Sequence, residues 1–159
     1  MKGVETDERD ERDVYQEFWN EAYEEPLDWF KHYTNAHESD ALRRGILAKG
    51  MEWYGKWWAF VEAISRRRRH VYDVSDEVGW RLLTLDLSAC GWQLTVDDAK
   101  EFVGELYESD LIDRECFDES SLVMSERVLS NADEYANNVA KGRLGAWKTN
   151  RSRAKKRGA

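Results

Sequence analysis

The chain has 159 residues, 42% hydrophobic and 13% aromatic, with eight tryptophans, ten glycines and a single proline, Pro26; this is enough for one packed domain, and it excludes a turn-rich sandwich or barrel in favour of helices. The net charge of −8 is unevenly spread: residues 1–30 carry three basic and eleven acidic side chains, whereas residues 141–159 carry eight basic and no acidic ones, the signature of an interaction tail. Neither Cys90 nor Cys116 has CxxC or Cys/His ligand spacing, which argues against a disulfide scaffold or a zinc site.

Residues 1–12 are too polar to bury anything and are expected to be disordered. An amphipathic helix is expected over 13–26, with Val14, Tyr15, Phe18, Trp19, Ala22 and Tyr23 at helical spacing before Pro26. Tyr15, Phe18, Trp19 and Tyr23 are the candidate protein-interaction residues; packing on the chain's own domain is the competing reading. An irregular lead-in over 27–37 precedes Ser39, which has N-cap chemistry, and Ala41, Leu42, Gly45 and Ile46 then line a helix closed by Gly50.

The next helix places Trp53, Trp57, Phe60, Val61 and Ile64 on one stripe, a core face rather than a platform for bases. It runs into Arg66-Arg67-Arg68-Arg69-His70. A helix C-terminus favours cations, but four arginines exceed what capping needs, so Arg66, Arg67, Arg68 and Arg69 are candidate phosphate contacts.

Val71–Val74 is β-prone and reads as an edge strand. Ser75 opens a helix with Val78, Leu82, Leu85 and Ala89 as its apolar face, stopped by Gly91. Thr95 caps another, with Val96, Ala99, Phe102, Val103, Leu106 and Tyr107 inward. Beyond Asp110 the pattern favours a β-hairpin, Leu111-Ile112 against Ser121–Met124, with residues 113–120 as its tip. Ser125 caps a last helix, with Val128, Leu129, Ala132, Tyr135, Ala136 and Val139 inward. It is expected to fray at Gly142 and Gly145 into a flexible basic tail over 141–159.

The expected fold is mostly α with a small β-hairpin: a winged helix-turn-helix over 27–140 with flanking N- and C-terminal helices. A family resemblance points the same way. Trp29-Phe30-Lys31-His32, Asp40-Ala-Leu42, Gly50-Met-Glu-Trp-Tyr-Gly55, Trp57-Trp58-Ala-Phe60-Val61-Glu62, Ser109-Asp-Leu-Ile-Asp113 and Ser125-Glu-Arg-Val128 resemble the winged-helix N-terminal domain of phage- and plasmid-type replication initiators, relatives of the DnaD primosome proteins. The resemblance spans roughly residues 28–140 and implies a role at the start of DNA replication, through DNA contact, self-association or helicase loading.

The charge pattern moves the expected DNA contact away from the usual helix. Of the outward positions on the helix from Thr95 to Ser109, Asp97, Asp98, Glu101, Glu105 and Glu108 are acidic and only Lys100 is basic, and phosphate repels such a face. The expected nucleic-acid contacts therefore lie in the arginine run and in Trp147, Lys148, Arg151, Arg153, Lys155, Lys156 and Arg157, with Trp147 available to stack on a base. The competing readings of the tail are a solubilising segment, or one that folds back on the acidic N-terminus.

His32, His37 and His70 are scattered, and no phosphate-binding glycine loop, HExxH or GxSxG is present. His32 and His37 with Glu38 and Asp40 do not share a helical face, so no metal is expected there. The sequence thus predicts a non-enzymatic protein with no cofactor. Without an apolar leader or any run near the ~20 apolar residues of a membrane span, it reads as cytoplasmic. The partners it implies are DNA bound without base specificity, replication proteins and a second copy of the chain. A protein-interaction or oligomerisation module that never touches DNA is the alternative.

Overall fold

A computed structural model describes residues 9–29, 35–89, 91 and 93–158, with side chains as far as Lys156. The architecture is mostly helical, with one two-stranded antiparallel sheet, and the chain divides into two units. One is Pro26–Asn131; the other joins the residues up to Glu25 with those from Ala132 onward. This differs from the expected boundaries at 27, 140 and 141. The disorder expected for residues 1–8, and the Phe30, Lys31 and His32 positions of the resemblance, lie outside the described residues, while Glu11 and Arg12 are already helical.

The larger unit is built on two helices that meet at a glycine. Ser39 caps α2 (Asp40–Lys49), its hydroxyl accepting the Leu42 N–H at 3.3 Å. Gly50 has φ +85° and an extended ψ, a conformation that side chains resist, and α3 (Met51–Ser65) follows at once. Trp53, Trp57, Phe60, Val61 and Ile64 are buried, as their spacing predicts. Trp57 stands 5.7 Å from Phe60, which meets Phe102 edge-on at 6.4 Å, a favoured aromatic geometry.

Strand β1 (Tyr72–Asp73) leads into α4 (Glu77–Ser88), which is capped by Asp76 rather than Ser75. The buried side of α4 is Gly79, Leu83, Thr84 and Leu87. The expected face is exposed instead: Val78 by 62%, Leu82 by 39% and Leu85 by 65%. This helix carries apolar residues on two sides, Val78, Leu82 and Leu85 on one and Leu83 and Leu87 on the other, so its period leaves the inward direction ambiguous. Gly79 decides it. A Cβ there would lie 1.8 Å from the Asp73 carbonyl oxygen, so the first turn of α4 presses on β1 at the one residue without a side chain.

Helix α5 (Val96–Glu108) starts at the expected Thr95 with a reciprocal capping box: Asp98 N–H donates to Thr95 Oγ1 at 3.2 Å, and Thr95 N–H donates to Asp98 Oδ2 at 2.8 Å. Of the expected stripe, Ala99, Phe102, Val103 and Leu106 are buried, while Val96 and Tyr107 are only partly covered.

The expected hairpin is replaced. Residues Arg114–Ser120 form a helix, α6, and β2 (Leu122–Val123) pairs antiparallel with β1, Tyr72 opposite Val123 and Asp73 opposite Leu122. Of the predicted partnership, one bond between the flanks is seen, Asp113 N–H to the Met124 carbonyl at 3.0 Å. Two local features favour the helix. Asp113 caps it by accepting the Cys116 N–H at 2.9 Å. Arg114 donates to the Tyr107 and Glu108 carbonyls at the end of α5, at 2.9 and 3.2 Å, and lies 4.9 Å from the Tyr107 ring. Cations belong at a helix C-terminus, and this one ties α6 to α5.

The last helix, α7, runs unbroken from Glu126 to Gly158, so the basic segment is helical rather than a flexible tail. Each interior glycine costs about 1 kcal/mol relative to alanine, yet α7 passes through Gly142 and Gly145. Ala132, Ala136 and Ala140 are buried, and partly covered positions continue at Leu144, Trp147, Arg151 and Ala154, a helical seam that offsets the glycines. Its partner within the smaller unit is α1 (Glu11–Glu24), capped by Asp10 and burying Val14 and Ala22. Among the described residues, no helix is long and apolar enough to cross a membrane.

Candidate nucleic-acid interface

The two basic segments singled out by the sequence are built differently. Arg66 caps α3 and pairs with Glu62 one turn back at 3.2 Å. Arg67 turns onto β1 and α4, its guanidinium 4.7 Å from the Tyr72 ring and 3.7 Å from Asp86 Oδ2. Asp86 Oδ2 also accepts the Tyr72 hydroxyl at 2.7 Å. Burial, then the hydrogen bond to Asp86, pushes the Tyr72 phenol far above its ordinary range.

Arg68 and Arg69 are exposed on a tight turn that ends at the fully buried His70. Arg69 and His70 both have left-handed backbone, φ +64° and +54°, a conformation that non-glycine residues adopt reluctantly. The reversal prevents the four arginines from forming one stripe. Arg67 is structural, and Arg66 is held by its own helix.

The C-terminal segment presents a regular cationic helix. Lys148, Arg151 and Lys155 fall at i, i+3 and i+7 on one side, and Arg153 and Lys156 at i and i+3 on another. Arg153, Lys155 and Lys156 are exposed and form no ion pair with any described residue. The Arg157 side chain lies outside the described ones.

Nearer the middle of α7 the cations meet α1. Arg143 Nη1 lies 2.9 Å from Glu21, and its guanidinium 5.8 Å from the Phe18 ring. Lys148 Nζ reaches Glu11 at 2.5 Å, and Arg151 donates to the Arg9 carbonyl at 3.5 Å. The acidic N-terminal helix thus occupies part of the basic segment. Trp147 is half-buried with the Arg151 guanidinium 5.1 Å from its ring, so one face expected to receive a base is covered.

Of the aromatic residues of α1, Tyr15 and Phe18 meet α7, whereas Trp19 and Tyr23 meet each other. Tyr15 donates to Asn137 Oδ1 at 2.6 Å, and Trp19 stacks on Tyr23 with ring centroids 4.7 Å apart. Burial, then the nearby Asp133 carboxylate, raises the Tyr23 phenol. None of these four side chains is among the exposed large apolar residues; those are Trp29, Leu47, Met51, Val78, Leu82 and Leu85.

The acidic face of α5 is partly internal machinery. Glu105 accepts the Trp53 indole N–H at 3.0 Å and pairs with Lys49 at 2.8 Å, joining α5 to α3 and α2. The hydrogen bond and charge of Glu105 raise the Lys49 ammonium above its usual range. Hydrogen bonds from the Thr95 hydroxyl and N–H hold the Asp98 carboxyl below its own. Two of the five acids thus have fold-level duties, and both contacts are long-range or capping geometry that charge counting misses.

Among the described residues, no cluster of three or more His, Cys, Asp or Glu could hold a metal ion. Comparison with known proteins finds no matching family model, no similar curated protein and no similar solved structure.

Proposed function

We propose that this chain is a non-enzymatic, DNA-binding accessory protein of the replication-initiator type, which contacts phosphate through the C-terminal end of α7. The observation that carries the reading is the set of exposed cations at Arg153, Lys155 and Lys156, which have no ion-pair partner among the described residues. A helix displaying lysine and arginine on two sides suits the dense, sequence-independent charge of a nucleic-acid backbone. The order α3, β1, α4, α5, β2, with β1 paired to β2, supports a winged-helix-type body, modified by α6 where a first wing strand would stand. The replication role rests on the resemblance of residues 28–140.

The test is binding of a labelled mixed-sequence duplex at several salt concentrations, for the intact chain and for an R153A/K155A/K156A variant. Removing one cation from a phosphate lowers the slope of log affinity against log salt by about 0.9, so the slope of the triple variant should be shallower by roughly 2.7. A chain that ignores DNA at low salt, or a variant with the parent's slope, overturns the reading.

One observation favours a second reading, a protein-interaction module. Val78, Leu82 and Leu85 form an exposed apolar stripe on α4, at the i, i+4, i+7 spacing of a helix-docking face. Light scattering of the intact chain and of a V78S/L82S/L85S variant addresses its self-association form; a monomer in both removes it.

A further inference from the structure

We infer that α1 is a built-in competitor for DNA, its carboxylates standing in for phosphates on the inner cations of α7; this rests on the DNA-binding reading above. Three observations converge. Of the basic side chains on the second half of α7, Arg143 and Lys148 pair with Glu21 and Glu11 of α1 and Arg151 reaches the Arg9 carbonyl just ahead of that helix, so the three form one block. Those beyond it, Arg153, Lys155 and Lys156, are exposed and without ion pairs to described residues. The basic segment is therefore open at its far end and occupied nearer the middle of α7.

The occupying groups are placed for exchange. Side-chain exposure is 49% for Arg143 and 56% for Glu21, 47% for Lys148 and 56% for Glu11. Water and phosphate reach both partners of each pair, and exposed pairs of this kind are weak. Replacing a carboxylate by a phosphate oxygen needs only side-chain rotation. Val14 and Ala22, which α1 keeps fully covered, can stay buried.

Engagement is thus graded. The open end of α7 captures the backbone first, and the inner cations join as Glu11 and Glu21 are displaced. The carboxylates raise the threshold for weak or short polyanions while leaving extended DNA able to compete.

The experiment measures duplex affinity and its salt dependence for the intact chain, for E11Q/E21Q, and for E101Q/E115Q. The last removes the same two charges from exposed positions on α5 and α6, far along the sequence from the basic segment. Circular dichroism first establishes equal helicity in all three. The expected result is about three- to tenfold tighter binding by E11Q/E21Q at low salt, converging with the parent at high salt, and a much smaller change in E101Q/E115Q. If the parent binds DNA and E11Q/E21Q matches it, the competitor is overturned and the DNA reading stands. Equal tightening in both variants also overturns it, since net charge alone would then explain the gain. If none of the three proteins binds DNA, the reading beneath fails and the competitor falls with it.

Discussion

The arginine run at the end of α3 and the basic half of α7 have similar composition and opposite fates. In the first, backbone reversal at Arg69 and His70 scatters the side chains, and Arg67 is consumed by Tyr72 and Asp86. In the second, an unbroken helix keeps the cations in register and leaves the terminal ones without ion pairs to described residues. A charge count cannot separate the two. What separates Arg67 from the terminal cations of α7 is whether an acid and an aromatic ring of the same unit lie within reach.

The glycines make the same distinction, and they give the sharpest ways to break it. Gly79→Ala would drive a methyl group into the Asp73 carbonyl, and overpacking against backbone should cost roughly 3 kcal/mol, read as a lower midpoint in urea unfolding. A midpoint near the parent's would mean that β1 and α4 separate easily. Next in size, Arg67→Ala should lower stability by about 1 kcal/mol, because it removes the guanidinium from over the Tyr72 ring and from beside Asp86. It should leave the salt slope of DNA binding unchanged, the reverse of R153A/K155A/K156A.

Tyr72 offers a pH version of the test. Its folded phenol holds its proton well above the ordinary tyrosine range, so it contributes stability that is complete below about pH 10 and is lost as pH rises beyond that. Stability of the parent should therefore fall above that pH, and Tyr72→Phe should remove part of the fall. Smallest is the effect at the open glycines. No atom lies within 4 Å of a Cβ built at Gly142 or Gly145, so alanine at either should raise stability by about 0.5–1 kcal/mol, measured by thermal melting.

The parts of this fold legible in the sequence are those where one residue type admits one role. Tryptophan and phenylalanine at helical spacing in α3 had to face inward, and Ser39 and Thr95 had to cap. The face of α4 was not legible, because the deciding residue is a glycine whose reason is the carbonyl of Asp73. Helix α6 is hidden by the β-capable residues that flank it, although Asp113 followed by Arg-Glu-Cys carries a cap signal. The helical course of the basic segment is hidden by Gly142 and Gly145. The seam of Leu144, Trp147, Arg151 and Ala154 is the available clue. Charge alone marks Lys148 and Arg151 as phosphate contacts, and it cannot reveal that Glu11 and the Arg9 carbonyl reach them first. Their charge is evident in the sequence, their neighbours are not.

The unbroken course of α7 has a consequence for proteolysis. Trypsin cleaves after lysine and arginine, and it needs an extended backbone that an intact helix withholds. A loose basic tail would be shaved in one rapid phase from its end back to Lys141. Here cleavage should begin at Lys155 and Lys156, which are exposed and pair with no described acid. It should then slow at Arg151 and Lys148, which meet the Arg9 carbonyl and Glu11, and that pause should shorten as salt is raised.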